Sequence, residues 1–202
     1  MKTFITTIPM LVELKAGIYQ PTGFKWEHNR ETRFPIIPVI EEVLWEDEDD
    51  LEILAIVIRN VDSERNYERF LKELEEIGVD SKAVKRIEIA EDPSEQVGFE
   101  LMKRLLGAIS DDSDIYACVT YGTKIVSMLV IFALIFVEKL KVNCKVQGMY
   151  YGEVRREHGQ EVERRLYNLV KYLQLGSIVD QIQEMEVADA GALFGIIADT
   201  CR

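Results

Sequence analysis

With 202 residues, 48% of them hydrophobic, the chain can bury one substantial core and at most a small C-terminal appendage beside it. Its 24 lysines and arginines face 36 aspartates and glutamates, a formal net charge of -12. That balance excludes a protein that coats nucleic acid or anionic membrane through a general basic field, so direct DNA binding is not expected and any anionic ligand must be held locally. Cys118, Cys144 and Cys201 are odd in number and widely spaced, which implies no disulfide framework and suits reduced thiols in the cytoplasm.

The chain opens with one lysine and a β-branched run, Phe4 to Met10, and shows no small-residue cleavage pattern, so it reads as a mature first strand. Gly17 to Pro35 carries Gly, Pro, aromatic and charged residues without periodicity, a connection long enough to suggest a functional loop. Ile36 to Trp45 resumes a helical pattern, and Leu51 to Arg59 is a near-continuous apolar run of the kind a doubly buried strand needs. Asp62 or Ser63 can cap a helix with Tyr67, Phe70, Leu71 and Leu74 on one face, which Gly78 stops. Val84 to Ala90 alternates as a strand, and Pro93-Ser94 opens a helix carrying Val97, Leu101, Leu105 and Ile109.

Ile115 to Thr120 then predicts a strand, and Ile125 to Val137, interrupted only by Ser127, falls short of the ~20 residues that span a bilayer. It reads as a buried helix, and no membrane association is expected. A strand from Val142 to Tyr151 follows. Beyond Gly159 the pattern weakens: Arg165 to Val170 suits a strand or a helix, Ile178 to Met185 looks helical, and Ala188 to Arg202 stops abruptly, as before a further domain. The expected division is 1–175 and a helical extension, 176–202. Alternating strands and helices predict an α/β, Rossmann-like, mainly parallel sheet with helices on both faces.

In such a sheet, ligands bind outside the carboxyl ends of the strands, near helix N-termini. The sharpest signal there is Thr120-Tyr121-Gly122-Thr123-Lys124. Gly122 permits close backbone approach, Thr120 and Thr123 supply hydroxyls, Lys124 supplies charge, and Tyr121 can stack on a base. The same residues also suit a plain turn with Thr123 as helix cap. The spacing is neither a Walker A loop nor GxGxxG, which disfavours a standard NTPase or dinucleotide dehydrogenase. Arg30 and Arg33 can pair with phosphate or stand as ordinary surface arginines.

His28 and His158 have no partners at metal-ligand spacing, so no metal site is expected. Cys118 reads as an inert core thiol, and the run Glu46-Asp47-Glu48-Asp49-Asp50 as a solvated loop. No catalytic residue can be assigned, and no cofactor is implied.

FITTIPM in the first strand, TRFPIIPVIEEVL, DPSEQVGFELMKRLLGAI, VTYGTK before an apolar helix, and VQGMYYGEV together resemble the CRISPR-associated Rossmann fold (CARF) family over most of residues 1 to 185. VTYGTK in its strand-to-helix context is the most specific of these. The resemblance implies a sensor of cyclic tetra- or hexa-adenylate, acting as a homodimer and fused to or associated with an effector domain. It implies a cradle formed by Thr7, Ile8 and Pro9 with Thr120, Tyr121, Gly122, Thr123 and Lys124 of both copies. The chain departs from the family pattern with Cys118 where aspartate is frequent, and Ile125 and Ser127 where prolines are frequent. Those departures bear on ligand size and on ring cleavage, since a ring nuclease acting on the same ligand is the alternative reading.

Overall fold

The structure, a computed structural model, describes residues 1–26, 30–46, 50–92, 94–181 and 189–200. In chain order its elements are β1 (Lys2–Thr7), β2 (Gly17–Ile18), β3 (Gln20–Thr22), β4 (Glu31–Thr32), α1 (Ile36–Glu46), β5 (Leu51–Ile58), α2 (Val61–Glu76), a 3-10 turn (Ser81–Ala83) and β6 (Val84–Ile89). There follow α3 (Glu95–Ala108), β7 (Asp114–Cys118), α4 (Lys124–Leu140), β8 (Lys145–Glu157), β9 (Gln160–Asn168), α5 (Val170–Gln181) and α6 (Ala190–Thr200). The chain forms two compact units, Met1–Asn168 and Leu169–Arg202.

The first unit is α/β and Rossmann-like, built on a seven-stranded sheet in the order β3-β9-β8-β7-β1-β5-β6. Pairings from β8 through β6 are parallel. They can be so because each successive strand returns through a helix, which an antiparallel hairpin would not need. The run LEILAIVI serves β5 because both faces of the strand are covered: Ile53, Ala55 and Val57 join the cluster with Ile37 and Ile40 of α1 and Phe70 and Leu74 of α2. By the two-residue period, Leu54, Ile56 and Ile58 turn to the other face, and all of these are buried. Ile58 there lies with Leu101 of α3 and Val126 of α4 around a small apolar pocket.

Several expectations are corrected. The cap of α2 is Asn60, whose side chain accepts from the Asp62 backbone N–H at 2.9 Å, while Ser63 is buried and donates to the carbonyl oxygens of Ile58 and Asn60. Among the described residues, the segment from Gly17 to Pro35 contains three short strands, one of which, β3, extends the sheet beside β9. The chain from Gln160 to Asn168 is a strand, antiparallel to β8, so the sheet is mixed at this edge. The β8–β9 turn places His158 and Gly159 at φ 51° and 81°, the two left-handed residues of a tight hairpin.

The apolar helix α4 is only half buried. Val126, Val130, Ala133, Leu134 and Val137 meet the core, whereas Ile125, Met128, Phe132, Phe136 and Leu140 are 46 to 68% exposed. Among the described residues no helix is long and apolar enough to cross a membrane.

In the second unit, Asp189 caps α6: its carboxylate accepts from the Ala192 N–H at 2.9 Å and its carbonyl from the Leu193 N–H. The helical reading of Ile178 to Met185 holds to Gln181. Its remainder lies outside the described residues, as do Asp47, Glu48, Asp49 and Pro93.

The exit of β1 is tied down by a buried side chain. Asn66, fully buried in α2, donates its amide to the carbonyl oxygens of Pro9 and Leu11, both at 2.9 Å. Asn66→Leu is expected to cost about 2 kcal/mol in urea unfolding, because two carbonyls lose their donors. An unchanged midpoint would show that the loop needs no such tie.

Candidate functional site

Strand order fixes where a ligand can sit. From β1 the chain builds outward through β5 and β6, then crosses back to place β7 on the other side of β1 and β8 beyond it. The order therefore reverses between β1 and β7, and at such a switch point the connections leave in opposite directions and open a crevice at the carboxyl ends. Thr6 pairs with Cys118 in adjoining register, so the crevice is flanked by the segments that begin at Thr7 and Val119.

The second segment is held rigidly. The Val119 N–H donates to the Tyr150 carbonyl, and the Val119 carbonyl accepts from the Ser127 hydroxyl at 3.3 Å. Thr120 Oγ1 accepts from the Gly152 N–H at 2.7 Å and lies 3.2 Å from Cys118 Sγ. The Tyr121 hydroxyl donates to the Arg33 carbonyl at 2.8 Å and lies 3.5 Å from that of Tyr19. Gly122 has φ 99°, which only glycine adopts without strain, and a Cβ there would lie 2.8 Å from the Thr7 methyl. Thr123 caps α4 by accepting from the Val126 N–H at 3.3 Å. The first N–H groups of α4 are left without intrahelical acceptors, and Lys124 is exposed beside them.

The structure thus brings Thr7 against Gly122 and joins Thr120, Tyr121, Thr123 and Lys124 in one loop. Thr7, Ile8 and Pro9 are themselves buried: the Ile8 N–H donates to Ile56, and Ile8 belongs to the core. The side chains reaching solvent after β1 are those of Leu11, Val12, Glu13 and Lys15. Arg30 forms a two-pronged contact with Glu41 at 3.1 to 3.2 Å and approaches Glu76, and Arg33 pairs with Glu73 at 2.8 Å. Both guanidinium groups are neutralised by carboxylates of α1 and α2, and only the carbonyl of Arg33 meets the loop. The Tyr121 hydroxyl points inward, and burial raises its pKa. Burial also pushes the Cys118 thiol up, which keeps it protonated and unreactive.

Beside this loop lies a cleft of about 440 Å3 between the segment after β1 and the β8–β9 hairpin. Thr120 and Tyr121 line it, but sequence reasoning missed its other residues, among them Lys15, Tyr19, Arg156, Glu161 and Arg164. The signal available was the arginine density on either side of the His158-Gly159 turn, Arg155-Arg156 and Arg164-Arg165, which the hairpin register sets on adjoining strands. Arg164 is 6% exposed. It contacts both Glu161 carboxylate oxygens, Nη2 at 3.0 Å, and lies 5.4 Å from the Tyr19 ring centroid. Hydrogen bonding from Arg164 holds the Glu161 carboxyl below its usual range.

His158 is an exposed turn residue, and His28 lies outside the described residues. Among the described residues no group of three or more His, Cys, Asp or Glu is placed to hold a metal ion. Comparison with models of known protein families finds no match, and no curated protein matches the chain.

Proposed function

We propose that the chain is a cyclic oligoadenylate-binding sensor of the CARF type, acting as a homodimer in the cytoplasm alongside an effector domain. The observation that carries this reading is the coincidence of Thr120 to Lys124 with the β1/β7 switch point: a rigid loop, the first N–H groups of a helix and an exposed lysine meet where an anion is best held. The overall charge of -12 makes that local arrangement the more telling.

The exposed stripe on α4 supports the second copy. Ile125, Met128, Phe132, Phe136 and Leu140 recur every three or four residues, so they form one face along the whole helix. At about half exposure each leaves roughly 100 Å2 open, or roughly 500 Å2 per copy, the scale of one side of a small specific interface. Because this helix starts at Lys124, a two-fold axis running parallel to it would bring two lysines and two loops toward one ring.

Calorimetry with cyclic tetra-adenylate and cyclic hexa-adenylate tests the reading. Intact ligand recovered from the complex supports the sensor, linear products would replace it with the ring nuclease, and absence of binding to either ring would remove it. Lys124→Ala is expected to lose roughly 1.5 to 3 kcal/mol of binding per site, against about 0.5 kcal/mol or less of folding stability, since the side chain is exposed. Equal affinity in the folded variant would take Lys124 out of the site.

A further inference from the structure

The cleft beside Tyr121 has a construction that core packing does not explain. Its lining includes three cations, Lys15, Arg156 and Arg164, and two carboxylates, Glu13 and Glu161, a local excess of positive charge on an acidic protein. Removing a guanidinium from water is unfavourable for stability unless a specific arrangement offsets it. Here the arrangement is elaborate: Arg164 meets Glu161, Tyr19 and the Thr32 carbonyl, and Gly17 lacks the Cβ that would lie 2.5 Å from its Nε. Glu161 offsets Arg164. Lys15 and Arg156 are exposed, and both act on Glu161 only through space.

The walls are of another kind. Tyr19 and Tyr121 close the floor, and Leu11, about half exposed, stands with Leu14 on the side after β1. The volume, about 440 Å3, falls within the roughly 300–1,000 Å3 of small-ligand sites. Cations at the hairpin, an apolar wall opposite, and a carboxylate able to accept from an amino group match a nucleoside monophosphate.

We propose that this cleft is a nucleotide subsite: Arg156 and Lys15 hold a phosphate over the fixed Arg164, and Leu11 with Leu14 flanks the base. The identity of the base as adenine rests on the function proposed above. Because Thr120 and Tyr121 belong to both cleft and loop, a ring lying over Lys124 would turn one adenosine unit outward into the cleft. The cleft also stands without the ring, as a site for a free mononucleotide.

The test titrates AMP, adenosine, inorganic phosphate, cyclic tetra-adenylate and cyclic hexa-adenylate into the full chain and into Arg156→Ala, Arg156→Lys, Lys15→Ala and Lys124→Ala. AMP is expected to bind the wild type more tightly than either of its halves. Arg156→Ala and Lys15→Ala should each weaken AMP about tenfold, the loss of one charge-assisted contact, with Arg156→Lys recovering part, and Lys124→Ala should leave AMP unchanged. AMP that fails to bind, or binds both cleft variants as tightly as wild type, overturns the subsite. Cyclic tetra-adenylate bound equally by wild type and Arg156→Ala overturns the placement of an adenosine in the cleft, while leaving the sensor reading intact. AMP bound through Arg156 with neither ring bound supports the subsite and overturns the sensor. All three substituted side chains are exposed, so thermal midpoints within about 2 °C of wild type are expected.

Discussion

Phe132→Asp is expected to turn a dimer into a folded monomer at micromolar concentration, and to reduce affinity for a cyclic oligoadenylate at least about 100-fold. Phe132 lies midway along the exposed face of α4 and is 48% exposed. In a two-fold interface each residue near the axis acts twice, so one substitution buries two carboxylates without partners. Each costs several kcal/mol to desolvate, against an interface whose roughly 500 Å2 per side offers a modest total. Folding is spared, because the core of the helix is Val126, Val130, Ala133, Leu134 and Val137, and a change on the open face stays within about 0.5 kcal/mol. The ring would then meet one loop and one lysine, half the contacts that the proposed site supplies. Light scattering measures the first effect and calorimetry the second. A Phe132→Asp protein that stays dimeric would move the interface off α4, and a wild-type chain monomeric with and without ligand would remove the two-fold site altogether.

Gly122→Ala is expected to destabilise the first unit by about 2 to 4 kcal/mol, for two separable reasons. The backbone sits at φ 99°, where an L side chain costs roughly 1–2 kcal/mol. The new Cβ also falls 2.8 Å from Thr7 Cγ2, and Thr7 is buried in β1 and cannot swing aside. Gly23→Ala provides the comparison, since Gly23 has φ 82° with nothing within 4 Å of its Cβ position. It should lose only the conformational part, about 1 kcal/mol. Thr7→Ser removes the obstructing methyl, so it should recover part of the loss in the Gly122→Ala background while gaining nothing in that of Gly23→Ala. Chemical denaturation of the singles and doubles gives the coupling directly. Equal losses at Gly122 and Gly23 would show that β1 and the β7–α4 loop do not touch as described.

Much of the fold was legible because its determinants are local. LEILAIVI contains no polar interruption after Glu52, and a strand apolar on both sides can only be covered on both sides, which implies the helices of an α/β sheet. Gly78 at φ 81° ends α2 where the sequence places the stop. Gly122 and Thr123 do what glycine and threonine do before a helix, through contacts within three residues.

What the sequence could not decide depends on partners far along the chain. The same alternation of strands and helices permits several strand orders, and only packing puts β1 between β5 and β7 and so locates the switch point. Half of α4 looks as apolar as the other half, because hydrophobicity reports a side chain's preference for burial and is silent on whether a surface is at hand to bury it. Arg30 and Arg33 carry the same charge as any phosphate-binding arginine until α1 and α2 bring Glu41 and Glu73 against them. The cleft is the extreme case. Its buried Arg164 reaches a carbonyl 132 residues away, and its floor joins Tyr19 to Tyr121 across 102 residues. Periodicity within a window of a dozen residues contains no term for such a contact. A site assembled from four separate segments comes into being only when the sheet assembles.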